Sequence, residues 1–116
     1  MPLMSLPQYP LEEILKVKYR REEDALKALK EKQALLEREQ QKLKEMEEAR
    51  DKVKMHYDDK LQQLRDTLDG GTTTDKIQQM KYYLALVLEN LEKEEEKVKK
   101  QQEEVDTAEK AVRVAE

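Results

Sequence analysis

The chain has only two glycines, which lie side by side at Gly70 and Gly71, and all three of its prolines precede Leu11. From Leu11 to the end of the 116-residue chain, these two glycines are the only residues that strongly disfavour helix. Ala, Leu, Glu, Lys, Gln and Arg dominate the stretch before them, and all six favour helix. The sequence therefore predicts an all-α fold, a long two-helix antiparallel coiled-coil hairpin with one short connection.

The region before the glycines divides into two segments. Residues 1–9 show no periodic pattern and are expected to form a flexible N-terminal arm. A first coiled-coil helix is expected over residues 10–68, because Pro10 lacks an N–H that a first helical turn would leave unpaired. The carboxylates of Glu12 and Glu13 favour the positive end of that helix.

The turn is expected over residues 69–74, where either glycine can adopt the left-handed backbone that ends a helix. Thr74 or Asp75 can then cap the next helix. The second coiled-coil helix is expected over residues 75–116. We expect it to be truncated at its C-terminus, because its apolar pattern stops there without an end signal.

Apolar residues recur at steps of three and four in both helices, as is typical of a coiled-coil seam. In the first helix this stripe needs one short step, from Leu43 to Met46, and one long step, from Tyr57 to Leu61. Its members are Leu15, Tyr19, Glu22, Leu26, Leu29, Gln33, Leu36, Gln40, Leu43, Met46, Arg50, Val53, Tyr57, Leu61, Leu64 and Leu68. The stripe of the second helix is regular and comprises Ile77, Met80, Leu84, Val87, Leu91, Glu94, Val98, Gln101, Val105, Ala108, Val112 and Ala115.

A turn centred near Thr72 fixes which residues face each other across the seam. Residue i then lies opposite roughly residue 144 minus i, so that Ala115 faces Leu29. The apolar stripe before Leu29 has no partner in this arrangement. An unpartnered stripe of this kind indicates that another surface docks on it.

The composition argues against several classes of function, namely thiolate or metal chemistry, nucleic acid binding and membrane insertion. The chain has no cysteine and one histidine, His56, which excludes thiolate catalysis and a multi-histidine metal site. Its 23 basic and 27 acidic residues give a net charge of −4, which is a poor match for nucleic acid. The longest apolar run has seven residues, whereas a membrane span needs about 20. We therefore expect no enzyme activity, no catalytic residues, no metal or cofactor, no nucleic acid partner and no insertion into a membrane.

That apolar run, residues 82–88, is the first candidate site. At about 100° per residue it covers the whole helix circumference, but a two-helix seam can bury only Leu84 and Val87 well. We predict a protein-binding tip patch close to the turn, widened by Met55, His56 and Tyr57 of the first helix. The tip patch comprises Tyr82, Tyr83, Leu86, Val87 and Leu88. Contact with a third helix or self-association are the alternative explanations.

A cluster of positive charges near the start of the first helix is the second candidate site. It comprises Lys16, Lys18, Arg20 and Arg21. Such a cluster in an acidic chain fits an acidic partner, although charge runs on helices are usually solvated faces.

Short motifs along the chain together resemble a known family. They are Tyr9-Pro10-Leu11-Glu12, Leu35-Leu36-Glu37 with Glu39-Gln40, Arg50-Asp51-Lys52-Val53-Lys54 with His56-Tyr57, Gln63-Leu64-Arg65, Gly71-Thr72-Thr73 and Glu94-Glu95-Glu96-Lys97-Val98. In this order, the motifs resemble the FliJ/YscO family of type III secretion stalk proteins, in particular its chlamydial YscO-like (CdsO) branch.

The resemblance implies a non-enzymatic central stalk or adaptor at the cytoplasmic base of the secretion apparatus. It implies binding and stimulation of the hexameric secretion ATPase, and contacts with the export gate and secretion chaperones. The end with the basic cluster would face the ATPase ring. The gate contact would lie shortly after the turn, where Tyr83 and Val87 stand with their neighbours Tyr82 and Leu86.

Two other functions remain open from the residues alone. A prefoldin-like coiled-coil chaperone would also present apolar residues at a helical tip, but it requires hairpin strands that no alternating segment here predicts. A structural homo-oligomer would instead pair two hairpins into a four-helix bundle.

Overall fold

The structure, a computed structural model, describes the backbone of residues 8–116 and the side chains from residue 10 onward. It contains two helices, α1 over Gln8–Gly70 and α2 over Thr74–Ala115, which pack antiparallel along a rod of 108 × 14 × 13 Å. The described residues include no strand, and the prefoldin-like alternative needs strands. The long two-helix hairpin predicted from the sequence is confirmed.

Helix α1 begins at Gln8, two residues before the predicted start at Pro10. The first four N–H groups of any helix lack an intrahelical partner, so a proline is also tolerated as the third helical residue. The remainder of the predicted arm, residues 1–7, lies outside the described residues.

The connection between the helices is shorter than predicted, because α1 continues to Gly70 and only residues 71–73 are non-helical. Gly71 ends the helix with a φ of +77°, and its N–H donates to the Leu68 carbonyl at 3.4 Å. Of the two glycines, Gly71 therefore supplies the left-handed residue.

Thr73, rather than Thr74 or Asp75, caps helix α2. Its backbone is extended, with φ −77° and ψ 150°, and its side-chain oxygen accepts from the N–H of Lys76 at 3.4 Å. A capping residue must lie outside the helix, and Thr74 and Asp75 already have helical backbones. Both predicted caps are therefore wrong by one or two residues.

The core is a single thin seam between the two helices. Its buried apolar members are Leu64, Leu84, Val87, Leu91, Val105, Ala108 and Val112. Every residue of the stripe predicted for α2 is buried or half-buried, which confirms that stripe. Since six of the seven buried apolar side chains come from α2, that helix contributes the better-buried half of the seam.

The stripe predicted for α1 is partly wrong. The helix buries a regular series at alternating steps of three and four, in which the step from Leu43 to Met46 belongs to the pattern. Lys60 follows Tyr57 in this series, and the predicted Leu61 beside it is also half-buried. This series is Leu29, Lys32, Leu36, Glu39, Leu43, Met46, Arg50, Val53, Tyr57, Lys60, Leu64 and Thr67. Lys32 and Glu39 are half-buried while Gln33 and Gln40 are exposed. The aliphatic stem of a lysine such as Lys32 can cover a seam while its ammonium stays in water. The Glu39 carboxylate instead accepts a hydrogen bond from Gln101 within the seam.

The helices are shifted by about one turn from the predicted pairing. The buried Gln101 side chain donates to the backbone carbonyl of Glu39 at 3.0 Å and to its carboxylate, and His56 meets Tyr83. These pairs place residue i opposite about residue 140 minus i. Extended residues advance about 3.3 Å each against 1.5 Å in a helix. The extended Thr73 therefore helps to carry the chain back alongside the last turn of α1.

The first turns of α1 extend beyond the end of α2. All side chains of residues 10–27, here called the overhang, are exposed, and Ala28 is the first that is half-buried. Leu15, Tyr19 and Leu26 are exposed as expected for an unpaired stripe. Among the described residues, neither helix contains an apolar segment long enough to cross a bilayer.

Candidate protein-binding surfaces

The tip patch divides into separate parts once the helices are packed. Leu84 and Val87 are buried in the seam, each with less than a tenth of its surface accessible, so Val87 is mainly a seam residue that reaches the surface only at the edge of a cleft. Tyr82 is 69% exposed, Tyr83 43% and Leu86 46%. These three side chains remain available to a partner.

Leu88 is 39% exposed but does not join this group. It lies five positions after Tyr83, which places the two side chains about 140° apart around the axis of α2. Leu88 therefore lies on the other side of the seam. Seven consecutive apolar residues cannot form one surface on a helix, and the predicted patch of five is in fact two surfaces and one core residue.

Helix α1 contributes one direct contact to Tyr83. The His56 Nε2 atom and the Tyr83 hydroxyl lie 2.8 Å apart, and the direction of the hydrogen bond depends on the imidazole tautomer. The two rings meet edge to face, with centroids 5.8 Å apart and an interplanar angle of 85°. This pair joins the helices outside the seam and fixes the Tyr83 ring.

Lys60 adds a third member to this cluster. Its Nζ atom lies 5.6 Å from the centroid of the Tyr83 ring, within the range of a cation–π contact. Lys52, His56 and Lys60 are spaced four apart, so they project from one side of α1. Together with Tyr83 and Leu86 they form the surface that we call the Tyr83 flank.

Two clefts open on the Tyr83 flank, one on each side of the Tyr83 ring. The cleft on the side away from the turn is lined by Lys52, Val53, His56, Tyr83, Leu86, Val87 and Asn90. The cleft on the side of the turn is lined by Lys60, Gln63, Gln79, Met80 and Tyr83. No carboxylate lines either cleft among the described residues, although the chain carries 27 acidic residues.

The other α1 residues expected to widen the tip patch do not do so. Met55 is exposed but lies about 100° from His56 around α1, on the outer face. Tyr57 is half-buried in the seam. Sequence reasoning missed Lys52 and Lys60, although their spacing of four residues from His56 is a signal that could have found them.

The basic cluster lies on the overhang, and its four side chains are exposed. Lys16 and Arg20 are four residues apart and share one face, whereas Lys18 and Arg21 border a shallow apolar groove with Ile14 and Val17. None of the ion pairs among the described residues involves these four. The cluster therefore presents positive charge on two faces rather than one.

The comparison with known protein families decides the identity of this rod. The family model described as YscO-like protein matches residues 6–116. The chain belongs to the YscO-like family. This membership confirms the resemblance carried by the sequence motifs.

Two solved structures resemble this YscO-like chain. One is CT670 from Chlamydia trachomatis, described as a YscO homolog, with 52% identity and a TM-score of 0.84 over 92% of this chain and 66% of that one. The chain therefore spans less than two thirds of that relative's length. The other is a chain of the CdsV and CdsO protein complex from Chlamydia pneumoniae, with 57% identity and a TM-score of 0.66 over 69% of this chain and 96% of that one. No curated protein is significantly similar to this chain.

Proposed function

We propose that this YscO-like chain is a non-enzymatic central stalk or adaptor of a bacterial type III secretion system. It binds a counterpart of CdsV near its turn and the hexameric secretion ATPase at the opposite end, and it stimulates that ATPase. It links the ATPase to the export gate and to secretion chaperones at the cytoplasmic base of the apparatus. It performs no chemistry of its own.

The complex of CdsV and CdsO is the observation that carries this proposal. The matched chain of that complex is 57% identical to this one, and identity at that level favours a shared binding surface. The geometry supports a two-ended adaptor, because exposed apolar residues near the turn and exposed basic residues on the overhang lie at opposite ends of a 108 Å rod.

Binding to CdsV tests the turn end of the rod. We expect purified C. pneumoniae CdsV to bind the chain saturably in isothermal titration calorimetry, and the double variant Tyr83→Ala/Leu86→Ala to bind at least tenfold more weakly. Truncating two exposed contact side chains removes interface area without opening the seam, so the helical signal in circular dichroism should stay unchanged. Absence of binding by the unaltered chain at low salt would contradict the proposal.

Stimulation of ATP hydrolysis tests the overhang. We expect the chain to raise the steady-state rate of the purified secretion ATPase, and Lys16→Glu/Arg20→Glu to reduce that effect while leaving CdsV binding intact. The matched control is Lys44→Glu/Lys54→Glu, which reverses two exposed charges in the body of the rod. Equal stimulation by both double variants would refute a role for the basic cluster.

A further inference from the structure

The Tyr83 flank is basic as well as apolar. We propose that its two clefts receive apolar side chains of an acidic partner segment, with His56 holding Tyr83 as the wall between them. This inference rests on the proposed function, since it describes how the turn end of the rod binds a CdsV-like partner. In addition to the apolar run of α2, the binding surface includes Lys52, His56 and Lys60 of α1.

Charge complementarity identifies the occupant. The cleft away from the turn has Lys52 in its lining, the cleft toward the turn has Lys60, and neither lining contains a carboxylate. The rest of the molecule is acidic, with a net charge of −4 over the whole chain. Complementary charge therefore favours an acidic segment at this flank over an uncharged or basic one and orients its approach.

The apolar lining supplies the contact area. Leu86 and Val87 border one cleft and Met80 borders the other, so an apolar side chain entering either cleft loses its contact with water. Exposed ion pairs individually contribute little to affinity. The lysines therefore set the rate and orientation of binding, while the apolar side chains supply most of the contact.

His56 acts as a positioning residue. A tyrosine that is 43% exposed would otherwise sample several rotamers, and ordering it on binding would lower the affinity. The hydrogen bond between His56 and the Tyr83 hydroxyl and the nearby Lys60 ammonium hold the ring in place before the partner arrives. The clefts on both sides of the ring are thereby pre-formed.

A pair of charge reversals two residues apart tests the charge argument. Lys52 lines the cleft, whereas Lys54 lies about 160° away around α1, on the opposite side. We expect Lys52→Glu to weaken binding of C. pneumoniae CdsV about fivefold at low salt and Lys54→Glu to leave it unchanged. The difference between them should shrink as the salt concentration rises to about 0.5 M, because screening shortens the reach of exposed charges.

Three further variants test the positioning role and the choice of flank. We expect His56→Ala to weaken binding and His56→Gln, which keeps a hydrogen-bonding side chain, to restore most of it. Leu86→Ala should weaken binding and Leu88→Ala, of similar exposure on the other side of the seam, should not. Thermal unfolding of each variant checks that the hairpin is intact.

The outcomes separate this inference from the proposed function. If the unaltered chain binds CdsV and Lys52→Glu binds as tightly as Lys54→Glu, the acidic-segment proposal is overturned while the proposed function stands. A greater loss with Leu88→Ala than with Leu86→Ala would also overturn it, because the partner would then use the other flank. If the unaltered chain does not bind CdsV at all, both proposals fail.

Discussion

At the scale of single residues, Gly71 decides that the chain is a hairpin. Its φ of +77° is a conformation that costs an L-amino acid roughly 1–2 kcal/mol. A Cβ added at Gly71 or at Gly70 would meet no atom within 4 Å, so space does not distinguish the two positions. Backbone conformation distinguishes the two glycines, because Gly70 is still helical whereas Gly71 is left-handed.

Alanine substitutions at the two glycines should therefore have opposite effects. We expect Gly71→Ala to lower the free energy of unfolding by about 1–2 kcal/mol through backbone strain. Gly70→Ala should raise it by about 0.4–1 kcal/mol, because alanine reduces the conformational freedom of the unfolded chain. Urea denaturation followed by circular dichroism measures both. A change of the same sign in the two variants would disprove this account of the turn.

At the scale of the helices, α2 owes its sharp start to Thr73. The side-chain oxygen of Thr73 accepts from the Lys76 N–H, and the Thr73 carbonyl accepts from the Ile77 N–H at 3.2 Å. An N-cap of this kind satisfies an amide that the helix itself leaves unpaired. The cap therefore defines the first turn of α2.

Removing this cap should destabilise the hairpin modestly and locally. We expect Thr73→Ala to lower the free energy of unfolding by about 1 kcal/mol, with faster hydrogen exchange at Lys76. Thr74→Ala is the matched control, since Thr74 is exposed and lies inside the helix, where surface changes typically stay within about 0.5 kcal/mol. Equal losses in both variants would show that Thr73 is not the cap.

One buried polar contact joins the two helices inside the seam. Gln101 is 7% exposed and still satisfied, because its amide donates to the Glu39 backbone and carboxylate. Glu39 is also paired with Lys42 at 3.6 Å. A buried polar contact between two specified partners favours one register over its neighbours, at some expense of stability.

At the scale of the whole molecule, the length and thickness of the rod follow from its single turn, which lays α2 against α1. The Cα radius of gyration is 29.1 Å. The same residues in one uninterrupted helix would extend about 160 Å, with a radius of gyration of about 47 Å. A rod one helix pair thick buries a single thin seam, so its ends and flanks are the surfaces that it presents to partners.

Small-angle X-ray scattering should distinguish these shapes directly. We expect a dilute sample to give a radius of gyration close to 29.1 Å and a mass near 13.8 kDa. A mass twice as large at low concentration would instead support the homo-oligomer alternative. A radius near the value for a single continuous helix would rule out the hairpin.

The sequence predicted most of the fold and only part of the candidate site. The glycine pair and the long helix-forming stretches located the turn, and the regular apolar stripe of α2 identified its buried face. The stripe of α1 was harder to predict. The uncharged Gln33 and Gln40 look more suited to a seam than the charged Lys32 and Glu39, but the structure half-buries the charged pair instead. Periodicity scores side chains by type, so it registers neither the aliphatic stem of Lys32 beneath its charge nor the pairing of the Glu39 carboxylate with Gln101 across the seam.

The sequence by itself determined that two helices form, where the chain reverses and which face of α2 is buried, because helix propensity, turn residues and periodicity are local properties. Only the tertiary structure decided the register, since this depends on the path of residues 71–73 and on packing summed along the whole seam. The register brings His56 against Tyr83 across 27 residues of chain and places Lys52 and Lys60 beside the clefts. Which residues form the Tyr83 flank was therefore fixed by packing between helices.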